Sequence, residues 1–176
     1  MNTIHISRFW FLLICLFLAI LPLTSTASII RLQTVLGVID IQLYDEAAPK
    51  TVENFYIYLN NNAYNHSFFH RSMPGFIIQG GGYVWNQTTN EGNVIAKLPP
   101  VVNEFSATRS NVRGTIAMAK LPDKPNSATS EWFINLVDNS ANLNKQNDGF
   151  TVFGQVIGNG MQVADAIASL PRTVSG

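Results

Sequence analysis

The chain has 176 residues, with 11 Lys and Arg against 11 Asp and Glu. That length predicts one domain, and the charge balance speaks against a nucleic-acid partner or an anionic membrane as a binding surface. The 47% apolar share is inflated by the N-terminus, where residues 9–23 form one apolar run.

Arg8 and the amino terminus precede that run. Thr24, Ser25, Thr26, Ala27 and Ser28, all small, follow it. Positive, apolar, then small is the pattern of a secretory signal peptide, with cleavage expected after Ala27. The run is shorter than the roughly 20 residues of a membrane span, so an uncleaved anchor is the lesser reading. The expected division is a signal peptide at 1–27 and one domain at 28–176. Cys15 leaves with the signal. A cysteine-free mature chain makes no disulfide and no thiolate metal site, which suits an oxidising compartment.

Residues 29–36 and 38–44 are β-prone runs around Gly37, the second alternating apolar and polar like a half-buried strand. Pro49 opens a helix, where a missing N–H costs little. Val52, Phe55, Tyr56 and Leu59 share its apolar face, and Asn60, Asn61 and Asn62 end it. Residues 68–71 and 76–79 read as two strands paired across a Pro74-Gly75 turn. Residues 81–113 are polar and irregular and predict a long loop. The sequons at Asn65 and Asn86 are read as ordinary polar turns. Strands follow at 114–119, 131–136 and 150–156, separated by loops at 120–129 and 138–149. Met161, Val163, Ala164, Ile167 and Ala168 mark a second helix. Many short strands with two helices predict a mainly β, closed barrel capped by helices.

The chemistry concentrates in Phe69-His70-Arg71-Ser72-Met73-Pro74-Gly75-Phe76-Ile77-Ile78-Gln79-Gly80-Gly81. Pairing across the turn puts Arg71 and Gln79 on one sheet face beside Phe76, and a charge on an apolar face needs a reason. A cation, an amide and an aromatic wall suit a polar, proline-like substrate. His66 and His70 lack a second ligand set at metal spacing; His70 reads as a core residue. The serines lack a nucleophile-elbow context, so hydrolysis through a covalent intermediate is poorly supported.

This stretch resembles the signature of the cyclophilin family of peptidyl-prolyl cis-trans isomerases. The resemblance extends over Gly114-Thr115-Ile116-Ala117-Met118-Ala119, residues 126–135 and Phe150-Thr151-Val152-Phe153-Gly154, and is strongest toward the bacterial periplasmic branch. It implies an eight-stranded antiparallel barrel with a helix over each end, no cofactor, and isomerisation of X–Pro bonds in unfolded or exported polypeptides by a periplasmic (or else secreted) monomer. Carried over by position, Arg71 is the catalytic arginine and Gln79 its polar partner. Phe76, Ile77, Phe133 and Leu143 line the proline pocket with Phe150 at its rim, and Ala119 and Lys120 fall where the family holds the substrate backbone. Ile77 replaces a frequent Met, Phe150 a frequent His, and Asn142 an aromatic, which implies weak cyclosporin binding. The family's last strand, which closes the barrel against the first, would lie past Gly176; a complete chain would leave residues 29–36 as a bare edge, and a truncated sequence is the equal alternative. The competing reading is a non-catalytic chaperone module that binds proline peptides in the same groove.

Overall fold

The computed structural model describes residues 27–171. The expected signal segment lies outside the described residues, Ala27 excepted. Among the described residues nine strands and three α-helices occur in the order β1 (Ile29–Thr34), β2 (Gly37–Leu43), α1 (Pro49–Asn60), β3 (Arg71–Met73), β4 (Ile77–Gly80), β5 (Tyr83–Asn86), β6 (Glu91–Val94), β7 (Thr115–Met118), β8 (Trp132–Asn135), α2 (Ser140–Leu143), β9 (Val152–Ile157) and α3 (Gly160–Ala168).

Seven strands form one sheet in the order β1-β2-β9-β7-β8-β4-β3, antiparallel throughout and curled into a half-barrel. Among the described residues β1 and β3 are its edges. Two local expectations need correction. The segment at 81–113 is not one loop, since β5 and β6 pair there as a separate hairpin. The strand expected at 68–71 starts at Arg71 and reaches Met73, because the tight turn at Pro74 and Gly75 carries the ladder right up to itself.

Helix α1 starts with Pro49, but its N-cap residue, Ala48, has no side chain able to cap it. The free amides of a first turn need an acceptor. A distant carboxylate supplies it: Glu104 accepts from the amides of Lys50 (3.2 Å) and Thr51 (2.8 Å) and from the Thr51 hydroxyl (2.7 Å). That negative charge also sits at the favourable end of the helix dipole.

The sheet buries both faces, and strand alternation divides the core. Ile78, Ile116, Ile134 and Phe153 belong to a large cluster shared with Val52 and Phe55 of α1 and with Ala164 and Ile167 of α3. Their chain neighbours Ile77, Ala117, Phe133 and Val152 point the other way, into a smaller cluster with Leu143. The period of two along a strand therefore builds the packed core on one face and an apolar floor on the other. The candidate site lies over that second floor.

Candidate active site

The Pro74-Gly75 turn aligns the chemistry. Gly75 takes φ +73°, a left-handed conformation that glycine adopts without steric cost, and the Phe76 amide closes the turn on the Met73 carbonyl at 2.9 Å. The resulting register sets Arg71 opposite Gln79, and the next ladder sets Gln79 opposite Phe133. Arg71 Nη1 donates to Gln79 Oε1 at 3.4 Å. Arg71 is exposed rather than enclosed by apolar neighbours: it stands on an edge strand with its guanidinium at the mouth of a cavity.

That cavity has a volume of about 230 Å³. Arg71 and Gln79 line it on one side; Phe76, Ile77, Phe133 and Leu143 supply its apolar surface; Ala119, Lys120 and Phe150 complete it. All nine residues singled out from the sequence meet here. The rings of Phe133 and Phe150 pack edge to face, 5.7 Å apart at 73°, a favourable arrangement for aromatic quadrupoles. Ile77 and Phe133 are almost fully buried, so they form a fixed wall. A cation with its amide partner at the edge of an aromatic slot can bind a small apolar ring and hydrogen-bond to an atom beside it.

The family model described as cyclophilin type peptidyl-prolyl cis-trans isomerase/CLD matches residues 29–175. This chain belongs to the cyclophilin-type peptidyl-prolyl cis-trans isomerases. It is 43% identical over 150 residues to a peptidyl-prolyl cis-trans isomerase of Acinetobacter baylyi, spanning 85% of this chain and 76% of that one. It is 39% identical over 147 residues to isomerase B of Escherichia coli K12, spanning 80% and 84%. Among solved structures, a cyclophilin of Cryptosporidium parvum determined in the presence of the dipeptide Ala-Pro superposes with a TM-score of 0.67 at 26% identity, covering 83% of this chain and 88% of that one.

Two polar residues of this isomerase escaped the sequence reading. Glu131 Oε2 accepts from Gln79 Nε2 at 2.8 Å and lies 3.3 Å from His70 Nε2. Lys97 stands 3.9 Å from the other oxygen. The hydrogen bond from His70, with that from Gln79, holds the Glu131 carboxyl below its ordinary pKa against the cost of burial. His70, its side chain 16% exposed, braces Glu131 and lies edge-on to Tyr83. Parity gave a usable signal, because Glu131 sits two residues before Phe133 and so shares its face. Gln146, which also lines the cavity, comes from a turn-rich loop that carried no signal.

Lys120 lines the cavity as well. Its Nζ donates to the carbonyls of Asn147 (2.7 Å) and Gly149 (2.6 Å) and lies 4.9 Å from the Phe150 ring centroid. Burial pushes its pKa down to about 8, opposed in part by the charge of Asp148. Among the described residues no group of three or more His, Cys, Asp or Glu side chains is placed to hold a metal ion. No helix there is long and apolar enough to cross a membrane.

Proposed function

We propose that this isomerase turns X–Pro bonds in exported polypeptides of the periplasm, with Arg71 as the catalytic residue, Gln79 as its orienting partner and the aromatic cavity as the proline site. The observation that carries this reading is the convergence of the Arg71 guanidinium and the Gln79 amide on the mouth of a slot walled by Phe76, Ile77 and Phe133. The Ala-Pro dipeptide used with the Cryptosporidium relative supports a proline ring as occupant.

Amide resonance sets a rotation barrier of about 18–20 kcal/mol, and X–Pro isomers exchange in tens to hundreds of seconds. Twisting the bond removes the resonance and returns a lone pair to the prolyl nitrogen. A guanidinium always carries its charge and five N–H donors, so Arg71 hydrogen-bonds to that lone pair. The planar ground state offers little lone pair, and the contact favours the transition state selectively. The apolar cavity holds the ring and excludes competing water. Ala119 and Lys120 flank the slot where the substrate backbone would run. No covalent bond forms and no proton moves.

The export part of the reading rests on the three-part N-terminus, Arg8 before an apolar run and small residues through Ser28. Sequencing the N-terminus of protein taken from its native host tests it: a chain beginning at Ser28 is expected, and one retaining Phe9 overturns it. The site part is tested by isomerisation of a capped Ala-Pro peptide. A wild type that binds the peptide without accelerating its exchange would favour a binding module that uses the groove for affinity alone.

A further inference from the structure

Three asparagines are buried beside the cavity without lining it. Asn111 and Asn135 have no exposed surface, and Asn139 retains 7%. A buried amide is unfavourable unless its polar atoms are paired, and here every side-chain N–H of the three finds an acceptor. Asn139 Nδ2 donates to the Phe76 carbonyl (3.0 Å) and to Asn135 Oδ1 (2.8 Å). Asn135 Nδ2 donates to Asn111 Oδ1 (3.3 Å) and Thr115 Oγ1 (2.9 Å). Asn111 Nδ2 donates to Asn144 Oδ1 (3.0 Å) and to the Phe150 carbonyl (3.0 Å).

The bonds form one unbroken line from the carbonyl of Phe76 to that of Phe150, two aromatic residues of the cavity. Both lie outside the strands that adjoin them: Phe76 precedes β4, and Phe150 precedes β9. Backbone bonds hold each of them only singly beyond the turns: the Phe76 carbonyl also accepts from the Leu136 amide (2.9 Å), and the Phe150 amide donates to the Leu143 carbonyl (3.0 Å). Phe150 also follows Asn147, Asp148 and Gly149, three successive residues at positive φ, a path that belongs to no strand. From Asn139 through Asn135 and Asn111 to Phe150 each amide donates onward in the same sense, so the dipoles add and neighbouring bonds strengthen one another. Apolar side chains of similar size would fill this space without that demand for matched partners.

We propose that Asn111, Asn135 and Asn139 are positioning residues that hold Phe76 and Phe150 at a set separation and thereby tune the affinity of the cavity for the proline ring. The inference rests on the reading of this cavity as the proline site. The side-chain bonds of Arg71 and Gln79 run to each other and to Glu131, not to the three asparagines, so their contribution to the turnover of bound peptide stays intact when the relay is cut.

The test is NMR titration with a capped Ala-Pro peptide, together with the catalysed exchange rate at saturation, on Asn111→Ala, Asn139→Ala and the double variant. Each single substitution is expected to weaken peptide affinity about fivefold, the size of one lost hydrogen bond, with the saturated rate within about twofold of wild type. Cutting the line at either end releases it, so the double variant is expected to lose little more than a single one. Folded variants that bind with wild-type affinity, or whose losses simply multiply, overturn the proposal. Should Asn111→Ala fail to fold, fluorine-labelled phenylalanine in Asn139→Ala decides: the relay requires the Phe150 resonance to move, and an unmoved one refutes it. Peptide-induced shifts in the wild type that miss Phe76 and Phe150 would instead refute the site itself.

Discussion

Gln79 is held from behind by Glu131, whose Oε2 lies 2.8 Å from the Gln79 amide nitrogen. A carboxylate only accepts, so it fixes which end of the Gln79 amide faces it and leaves Oε1 turned toward Arg71. Glu131→Ala removes that constraint and is expected to lower kcat/KM roughly tenfold, about 1.4 kcal/mol. Glu131→Gln is expected to keep most of the activity, because its own amide oxygen can accept the same bond. The acid limb adds a second readout. The Glu131 carboxyl is held below its ordinary value of 4.5, so its stabilising contacts are complete above that value and are lost as pH falls through the lower folded one. On the acid side, wild-type activity is expected to decline in that range, and Glu131→Gln to lack this contribution. Equal pH profiles for the two proteins would contradict the assignment.

Arg71 is exposed on β3, and its removal opens no core cavity. Arg71→Ala is expected to fold normally by circular dichroism and to lose about two orders of magnitude in kcat/KM, about 2.7 kcal/mol. Arg71→Lys is expected to recover only part, since lysine keeps the charge but lacks the rigid planar fork. A folded Arg71→Ala protein with a near-normal rate would remove the guanidinium from the mechanism.

Much of this was legible in the sequence, for identifiable reasons. Pro74-Gly75 between two β-prone runs fixed both a turn and a register, and register alone sets Arg71 opposite Gln79. The apolar face of α1 was visible at Val52 and Phe55, both buried. The hairpin of β5 and β6 was hidden, because β6 is exposed along its whole length and leaves no apolar alternation to read. Helix α2 has four residues, too few to show a period. Glu131 and the buried asparagines were missed for a different reason. Their meaning lies in contacts between segments far apart in the chain, such as Asn111 with Phe150, which local pattern does not encode.

Phe133 separates binding from rotation. It is 3% exposed, packs on Phe150 and makes no polar contact with the reacting atoms. Phe133→Ala is expected to cost about 3–5 kcal/mol of stability by opening a void and to raise the KM for proline peptides. The rate at saturation should fall far less than in Arg71→Ala. Denaturant melts and saturation kinetics on one preparation check both parts. A normal KM in a destabilised protein would place the ring elsewhere.

Lys120 gives the rim a pH dependence whose two readouts run in opposite directions. Burial lowers its pKa from 10.5 to about 8 in the folded protein. Between those values the unfolded chain binds more protons than the folded one, so this group makes stability rise with pH across that window. Over the same window the ammonium discharges. A neutral amine still donates to the carbonyls of Asn147 and Gly149 but no longer attracts the face of Phe150, a contact worth about 0.5–1 kcal/mol at an exposed site. Affinity for a capped Ala-Pro peptide, which has no titrating group of its own, is therefore expected to weaken by roughly two- to fivefold as pH rises through about 8. Bond rotation itself requires no proton transfer, so the change belongs to the protein. Lys120→Met keeps a long apolar stem at the rim and is expected to bind with the weaker affinity at every pH. Peptide titrations by NMR on both proteins across this range, paired with thermal melts, are the measurement. A wild-type affinity flat through pH 8, or an identical slope in Lys120→Met, would show that the ammonium does not order Phe150.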